Sequence, residues 1–321
     1  MDRCRSLWDR RSAGALSRNW TNVTARKFSF ETVSDWGKRT MSLALRSLSL
    51  VKSLLAPSTV QTVRQLQRRH FRPAQDFLFR MLFGSNLRAL AQVYSADKWD
   101  WYPEHYETHF RSIRRRKMNI LEIGIGGYDR PERGGGSLRM WRTYFPNSRI
   151  FGIDIYDKSP HNERRIKTFR GSQIDPDLLE TVVSEIGPID IIIDDGSHVN
   201  EHVLYTFRYL FPHLSPFGMY VIEDLQTSYW CAYGGSTDQL DSADTSMGFL
   251  KRLVDGLNYS EFETQAYHPT YTDTHIVSLH FYHSMAFIQK GPNNGEGGGP
   301  GLGRSTQFDI ADLVGAEGNS N

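Results

Sequence analysis

The stretch Leu121-Glu122-Ile123-Gly124-Ile125-Gly126-Gly127 decides the predicted fold of this 321-residue chain. It joins the apolar run 118–124 to a glycine-rich turn, and a helix is predicted at residues 138–144. Glycine lets the backbone approach a ligand closely and adopt positive φ. A strand, a glycine turn and a helix in this order predict a cradle for a nucleotide-like cofactor in an α/β protein.

Further short apolar runs, closed by Gly or Asp, follow the turn. They cover residues 149–155, 166–171, 189–195 and 218–224, and helices are predicted between them at 177–186 and 201–214. This alternation is typical of a doubly wound parallel sheet. The last two runs, 275–283 and 285–290, lie too close together for a helical crossover and should pair as an antiparallel hairpin. The predicted fold is therefore α/β, with a Rossmann-like, doubly wound, seven-stranded sheet that is mostly parallel and ends in an antiparallel hairpin.

Two acidic motifs, Asp-Asp-Gly-Ser-His at 194–198 and Glu-Asp at 223–224, end two of these predicted strands. Parallel strands end at one edge of a sheet, so we expect the carboxylates and the imidazole to meet over one crevice. Carboxylate oxygens suit Mg²⁺, and an imidazole with a pKa near neutral suits a general base. The predicted metal ligands are Asp195, Glu223 and Asp224, and the predicted base is His198. Each residue taken alone could instead be a helix cap, a strand end or a solvated loop residue.

Two classes of cofactor compete for the glycine turn. A dinucleotide fingerprint starting at Gly124 needs glycine at position 129, where Asp129 stands. The pattern Glu122-x-Gly124-x-Gly126-Gly127 resembles instead motif I of class I S-adenosylmethionine-dependent methyltransferases. Asp154 closes the second predicted strand, where it either binds both ribose hydroxyls or simply ends the strand.

Other cofactor contacts are predicted beyond the turn. Ser172 and Gln173 follow the third predicted strand, where the adenine ring would lie and Gln173 would contact its edge. Ser137 follows the glycine run 134–136 and is predicted either to cap the next helix or to bind the methionine carboxylate. The predicted cofactor-binding residues are Glu122, Gly124, Gly126, Gly127, Ser137, Asp154, Ser172, Gln173 and Asp195.

These motifs, together with Leu279-His280-Phe281-Tyr282-His283, resemble bacterial Mg²⁺-dependent sugar O-methyltransferases. That family includes the macrolide-glycoside enzymes acting on mycinamicin VI or demethylmacrocin and the mycobacterial methylmannose polysaccharide 1-O-methyltransferase. The resemblance covers about residues 90–290. It implies S-adenosylmethionine and Mg²⁺ as cofactors, and it gives the second Asp of Asp-Asp-Gly-Ser-His and both acids of Glu-Asp the role of metal ligands.

Aromatic residues accompany the motifs. The segment 97–106, Asp-Lys-Trp-Asp-Trp-Tyr-Pro-Glu-His-Tyr, resembles the family's stretch before the glycine turn and is expected to wall the site. Its aromatics, with Tyr229, Trp230 and Tyr233, would stack on sugar C–H faces or serve as ordinary packing residues. Residues 225–260 are expected to form much of an acceptor lid.

The predicted function is therefore S-adenosylmethionine-dependent, Mg²⁺-assisted O-methylation of a sugar hydroxyl in a saccharide or glycosylated natural product. A first alternative is a phenolic or catechol acceptor, which ionises more readily and depends less on His198. A second is a non-enzymatic protein that binds membrane or nucleic acid through its basic N-terminal part. Under the main prediction the protein acts on a small sugar or glycoside acceptor and is not expected to bind nucleic acid.

The net charge of +2 hides an asymmetry: residues 1–80 hold 16 Arg and Lys against 5 Asp and Glu, a net charge of +11 that leaves −9 for the rest. We expect a basic, partly disordered arm over 1–80, a methyltransferase domain over 81–290 and a flexible glycine-rich tail over 291–321. Amphipathic helices predicted at 41–56 and 59–69 would contact a membrane surface, another subunit or the body of the protein. The arm also resembles an organellar transit peptide, and Met41 is an alternative start.

The composition limits the class of protein. The hydrophobic fraction of 39% is ordinary for a globular protein, and no apolar run approaches the length needed to span a bilayer. Two cysteines, Cys4 and Cys231, are too few for a disulfide framework, so a cytoplasmic location is predicted. The sequence leaves open whether the protein forms a homo-oligomer.

Overall fold

The computed structural model describes residues 72–262, 264 and 266–294. The helices predicted at 41–56 and 59–69, any membrane contact they make, and most of the glycine-rich tail lie outside these residues. Within the described part, no helix combines the length and apolar character that a membrane span requires. The predicted cytoplasmic location stays a prediction.

Seven strands form a single sheet in the order β3-β2-β1-β4-β5-β7-β6. The first five are parallel, and β7 pairs antiparallel with both β5 and β6. The strands are β1 Asn119–Ile123, β2 Arg149–Asp154, β3 Ile166–Arg170, β4 Ile189–Asp194, β5 Leu214–Ile222, β6 Ile276–Tyr282 and β7 Met285–Lys290. This arrangement confirms the predicted doubly wound sheet and its closing hairpin.

Helices cover both faces of the sheet. They are α1 Arg72–Phe83, α2 Leu87–Tyr94, α3 Tyr102–Phe110, α4 Gly136–Tyr144, α5 Pro176–Ile186, α6 Asn200–Leu210, α7 Ser246–Gly256 and α8 Tyr271–His275. Neighbouring residues of the central strand β4 enter different cores: Ile191 and Ile193 pack with α2, α3 and α4, and Ile192 packs with α5, α6 and α7. A strand buried on both faces must be apolar throughout, which explains the continuous isoleucine run that predicted β4.

The register of the central strands brings their C-terminal ends to one level. Ile123 of β1 pairs with Asp194 of β4, and Asp194 pairs with Ile222 of β5. The alignment continues past the strands, because the Asp195 amide donates to the Ile123 carbonyl at 2.9 Å and the Glu223 amide donates to the Asp194 carbonyl at 3.0 Å. Both acidic motifs therefore leave the sheet side by side.

One predicted helix boundary is wrong. The helix predicted over 201–214 ends at Leu210, and a 3₁₀ turn, Phe211–His213, leads directly into β5. Pro212 has no amide proton to continue the helical hydrogen bonds, which accounts for the early end. Helix α1 includes residues 80 and 81, and its Asp76 accepts a hydrogen bond from the Tyr94 hydroxyl at 2.7 Å. The expected division into an arm, a methyltransferase domain and a tail stays a prediction.

Candidate active site

The glycine turn has the geometry of a ligand cradle. Gly124, Gly126 and Gly127 have φ values of 88°, 72° and 79°, a region that favours glycine. A Cβ on Gly124 would lie 2.0 Å from the Asp195 carbonyl oxygen, so only glycine lets the ends of β1 and β4 approach this closely. A Cβ on Gly126 would meet no atom within 4 Å. The turn therefore borders open space at Gly126. The cofactor contacts predicted for Gly124, Gly126 and Gly127 stay predictions.

Asp154 lies beside this turn at the end of β2. Its Oδ2 accepts a hydrogen bond from the Ile125 amide at 3.0 Å, and its Oδ1 accepts one from the Tyr156 amide at 2.9 Å. A carboxylate has about four lone-pair positions, so both oxygens retain capacity for hydroxyl donors. The placement agrees with the predicted contact to ribose, which stays a prediction.

Glu122 and Ser137 contact each other rather than an open cleft. Glu122 is fully buried, and it accepts hydrogen bonds from the Ser137 hydroxyl at 2.6 Å and the Trp141 indole at 3.1 Å. Ser137 lies in the first turn of α4, whose N-cap is Gly135, so the predicted capping role of Ser137 is wrong. Cofactor contacts by these two residues stay predictions. Their hydrogen bonds join β1 to α4.

Gln173 holds the loop that follows β4. Its Nε2 donates to Asp194 Oδ1 at 3.3 Å and to Thr206 Oγ1 at 3.0 Å, and its Oε1 accepts from the Ser197 amide at 2.8 Å. These protein contacts orient the Asp-Asp-Gly-Ser-His motif. The adenine contacts predicted for Gln173 and the adjacent Ser172 stay predictions.

Asp195, His198 and Asp224 form the group best suited to a cation. Each offers one ligand atom, and these atoms all lie within 4.8 Å of one another. His198 Nε2 is 3.9 Å from Asp195 Oδ1 and 3.6 Å from Asp224 Oδ2. His198 and Asp224 both have left-handed backbone, with φ values of 57° and 55°, so two chain reversals aim these side chains at one point. Two carboxylates and an imidazole within this distance fit a divalent cation.

Glu223 does not belong to that group. Its carboxylate is buried, and Oε1 accepts a 2.5 Å hydrogen bond from the Tyr106 hydroxyl and a 2.6 Å hydrogen bond from Lys98 Nζ. The group of candidate ligands thus differs from the predicted set, because it includes His198 and leaves out Glu223. These two donors draw the Glu223 carboxylate into the protein, and its role as a ligand stays a prediction.

Lys98 is a site residue that the sequence analysis did not single out. Its side chain is 1% exposed, and Nζ lies 2.6 Å from Asp195 Oδ2, 2.6 Å from Glu223 Oε1 and 3.1 Å from Glu122 Oε1. Burial lowers the pKa of Lys98, but the three carboxylates outweigh it and hold that pKa well above its usual value. Burial also raises the pKa of Asp195 to about 6, against the opposing effect of Lys98.

The segment 97–106 lies against the acidic motifs, as expected. The Trp99 indole donates to Asp224 Oδ1 at 3.1 Å, and the Tyr102 hydroxyl donates to the same oxygen at 2.8 Å. Tyr102 also donates to the Ser284 carbonyl at 3.1 Å, and that carbonyl accepts the Leu225 amide at 3.0 Å. The turn of the β6–β7 hairpin therefore supports the loop that carries Asp224.

Aromatic residues with exposed surface border the same place. Trp99 is 47% exposed and stacks on Trp101 with a centroid distance of 5.0 Å. Tyr229 and Tyr233 each end a 3₁₀ segment after Asp224, and Trp230 lies between these two segments. Their contacts with a sugar stay predictions. Within the segment 225–260, α7 packs Leu250 and Leu253 into the core. The acceptor lid expected over this segment stays a prediction.

Several curated proteins are similar to this chain. Demethylmacrocin O-methyltransferase of Streptomyces fradiae is 50% identical over 220 residues, which cover 67% of this chain and 55% of the relative. Mycinamicin VI 2''-O-methyltransferase of Micromonospora griseorubida is 49% identical over 201 residues, which cover 62% of this chain and 50% of the relative. A tetracenomycin-C rhamnosyl 2'-O-methyltransferase of Streptomyces olivaceus is 50% identical over 215 residues, covering 66% and 56%. The chain spans about half the length of these relatives, and no family model matches it.

Solved structures extend the comparison. The MycE methyltransferase of the mycinamycin biosynthetic pathway, in complex with Mg and SAH, has a TM-score of 0.66 and 44% identity, covering 74% of this chain and 60% of that one. A complex of MycE with Mg, SAH and mycinamycin VI has a TM-score of 0.65 and 45% identity, and the match covers 72% of this chain and 59% of that one. This chain therefore has the class I S-adenosylmethionine-dependent methyltransferase fold and is a homologue, over part of its length, of the O-methyltransferases that act on sugars of glycosylated natural products.

Proposed function

We propose that this chain is an S-adenosylmethionine-dependent, Mg²⁺-assisted O-methyltransferase that methylates a sugar hydroxyl of a glycosylated natural product. The observation that carries the proposal is the convergence of Asp195, His198 and Asp224 beside the glycine turn. The relatives named above support the reaction class, and the Mg and SAH of the MycE complexes support the two cofactors.

The donor half of the site comes from β1 and β2. Backbone of residues 124–127 would line the methionine end of S-adenosylmethionine, since the turn borders open space at Gly126. Asp154 would accept the ribose hydroxyls with the lone pairs that the two backbone amides leave free. S-adenosylmethionine carries a positive sulfonium, so the nearby carboxylates favour its binding.

The acceptor half comes from the ends of β4 and β5. Methyl transfer forms a bond from the acceptor oxygen to the methyl carbon as the bond from that carbon to sulfur breaks, and the hydroxyl proton must leave. In this step His198 Nε2 would take the proton rather than bind the cation, and the nearby carboxylates of Asp195 and Asp224 would favour the imidazolium that results. Asp195 and Asp224 would hold the Mg²⁺, whose positive charge lowers the pKa of a nearby hydroxyl.

A sugar is the acceptor that best suits the surroundings. An aliphatic hydroxyl is a poor acid, so it needs both a base and a cation, and the site offers residues for both. The exposed face of Trp99 lies next to Asp224, where a sugar ring would present its C–H groups to the indole. A phenol would need neither the strong base nor this aromatic surface.

The test uses purified protein, S-adenosylmethionine with a labelled methyl group, and a panel of rhamnosides, macrolide glycosides and catechols. We expect label on a glycoside, in a reaction that EDTA stops and Mg²⁺ restores. His198→Ala should lower the rate by about 10²- to 10⁴-fold, the usual contribution of a general base. His213→Ala, in the 3₁₀ turn before β5, is the matched control and should leave the rate unchanged. Transfer to catechols alone, with His198→Ala still active, would contradict the sugar assignment.

A further inference from the structure

The loop 127–134 between the glycine turn and α4 is in direct backbone contact with that turn. A Cβ on Gly134 would lie 2.2 Å from the Gly126 carbonyl oxygen, and one on Gly127 would lie 2.3 Å from the Arg133 carbonyl carbon. The Gly135 amide donates to the Ile125 carbonyl at 2.8 Å. Because the two segments touch through their backbones, the position of the loop determines the position of the cradle.

Lys158 anchors this loop through hydrogen bonds from its ammonium group. Its Nζ donates to the carbonyl oxygens of Tyr128 at 2.7 Å, Arg130 at 3.1 Å and Arg133 at 3.3 Å. Lys158 is 1% exposed, and an ammonium group has three N–H donors, so all of them are used on one loop. Hydrogen bonds from a charged donor are stronger than neutral ones, particularly away from water.

The middle of the loop exposes its side chains. The Tyr128 side chain is 82% exposed, and the side chains of residues 129–133 are also exposed. Tyr128 has a left-handed backbone with a φ of 49°, which is unfavourable for a residue with a Cβ. His161 Nε2 lies 3.1 Å from the Arg133 carbonyl oxygen, and the Arg139 guanidinium donates to the Gly134 carbonyl at 3.5 Å. The three hydrogen bonds from Lys158 tie the backbone of the loop to the segment that follows β2.

We propose that Lys158 is a positioning residue for the cofactor: it clamps the loop 127–134 against the glycine turn and thereby sets the affinity for S-adenosylmethionine. This rests on the proposed function for the identity of the ligand, whereas the clamping of the loop does not depend on it. Lys158 follows Asp154 by one short segment, so the chain after β2 carries both the predicted ribose contact and the clamp.

The chain contains a matched control. Lys290 is also buried, and its Nζ donates to three backbone carbonyls, those of Phe211, Pro212 and Leu214. These carbonyls lie where β5 begins, at the end of the sheet opposite the cradle. Lys290→Met therefore removes the same kind of interaction without touching the cofactor side.

The experiment compares the full chain with Lys158→Met, Lys158→Arg and Lys290→Met. The readouts are the Kd for S-adenosylhomocysteine by calorimetry and the rate of trypsin cleavage after Arg133, followed by mass spectrometry. Trypsin does not cut after Arg130, because Pro131 follows it, so cleavage in the loop reports on one bond. We expect Lys158→Met to raise the Kd by about tenfold or more and to accelerate the cleavage by a similar factor. Lys158→Arg should restore part of the affinity and part of the resistance to cleavage. Lys290→Met should change neither the Kd nor the cleavage rate.

Each other outcome has a defined meaning. An unchanged Kd and cleavage rate in Lys158→Met, or an equal rise of the Kd in Lys290→Met, would overturn the clamp. If Lys158→Met does not fold, the wild-type protein still tests it, because saturating S-adenosylhomocysteine must slow cleavage after Arg133, and binding without slowing would overturn it. If the wild-type chain binds no S-adenosylhomocysteine, the proposed function fails, while the cleavage rates still test whether Lys158 orders the loop.

Discussion

Lys98 places one positive charge among three carboxylates in the interior of the site. Removal of one partner from a buried ion pair leaves the other charge uncompensated, which typically costs about 3–5 kcal/mol. We therefore expect Lys98→Met to lower the free energy of unfolding by about that amount. The measurement is urea unfolding at neutral pH.

Lys251→Met is the control for the loss of a surface ion pair. Lys251 pairs with Asp241, a residue whose side chain is 87% exposed, so its replacement should cost no more than about 1 kcal/mol. The double variant Lys98→Met/Glu223→Gln should recover part of the stability, because it removes a carboxylate as well. A Lys98→Met protein as stable as the wild type would show that the three carboxylates do not depend on this lysine.

Two neighbouring glycines of the turn should respond differently to the same substitution. In Gly124→Ala the new Cβ would meet the Asp195 carbonyl oxygen at 2.0 Å, in addition to the cost of positive φ. We expect a loss of about 2–5 kcal/mol in unfolding free energy. Gly126→Ala meets no atom within 4 Å, so only the cost of its φ applies, about 1–2 kcal/mol.

The same pair separates folding from ligand binding. The Cβ of Gly126→Ala would enter the open space of the cradle, so this variant should bind S-adenosylhomocysteine more weakly while it remains folded. Calorimetry on both variants checks the expectation. Equal stability losses for the two, or full affinity in Gly126→Ala, would mean that the turn does not border the ligand.

Helix α3 meets the β6–β7 hairpin through His109. This imidazole stacks on Phe287 and lies near the Tyr282 hydroxyl, at 3.1 Å. Burial, together with smaller effects of the neighbouring His280 and His105, lowers the pKa of His109 to about 4. Between about pH 6.5 and pH 4, His109 is protonated in the unfolded chain but stays neutral in the folded protein. The free energy of unfolding should therefore fall as the pH decreases through this range.

His109→Phe tests this pH dependence, since Phe keeps the stacking and cannot be protonated. We expect the variant to lose less stability than the wild type between pH 7 and pH 5, measured by urea unfolding at both values. His213→Phe serves as the control and should follow the wild-type profile. A steeper loss in His109→Phe would show that the imidazole is not the acid-sensitive group.

The elements also show what the sequence could predict. The strands were predictable because runs such as the one that forms β4 are buried on both faces and must be apolar throughout. The convergence of Asp195, His198 and Asp224 was predictable because parallel strands end at the same edge. The inward position of Glu223 was not, since it depends on how α3 and the residues before it pack against the sheet. A lysine in a charged segment resembles a surface residue, so Lys98 gave no local signal of its burial.

Binding of a cation should raise the stability of the entire folded protein. A ligand that binds only the folded state raises the unfolding temperature by mass action. We expect Mg²⁺ to raise the Tm of the wild-type protein, and we expect Asp195→Asn and Asp224→Asn to abolish that rise. Asp241→Asn removes an exposed carboxylate, and this variant should still show the rise of the Tm with Mg²⁺. The measurement is a thermal scan over a series of Mg²⁺ concentrations, and a Tm rise that survives in the Asp195 and Asp224 variants would place the cation elsewhere.

The Ser284 carbonyl supports the loop after β5, and this contact affects the order in which the chain can fold during translation. The carbonyl of Ser284 accepts hydrogen bonds from Tyr102 and Leu225, so groups far apart in the chain meet at one oxygen atom. A nascent polypeptide that still lacks the hairpin β6–β7 also lacks the Ser284 carbonyl that supports the Asp224 loop. During translation, this loop can therefore take its supported position only after the hairpin has been synthesised.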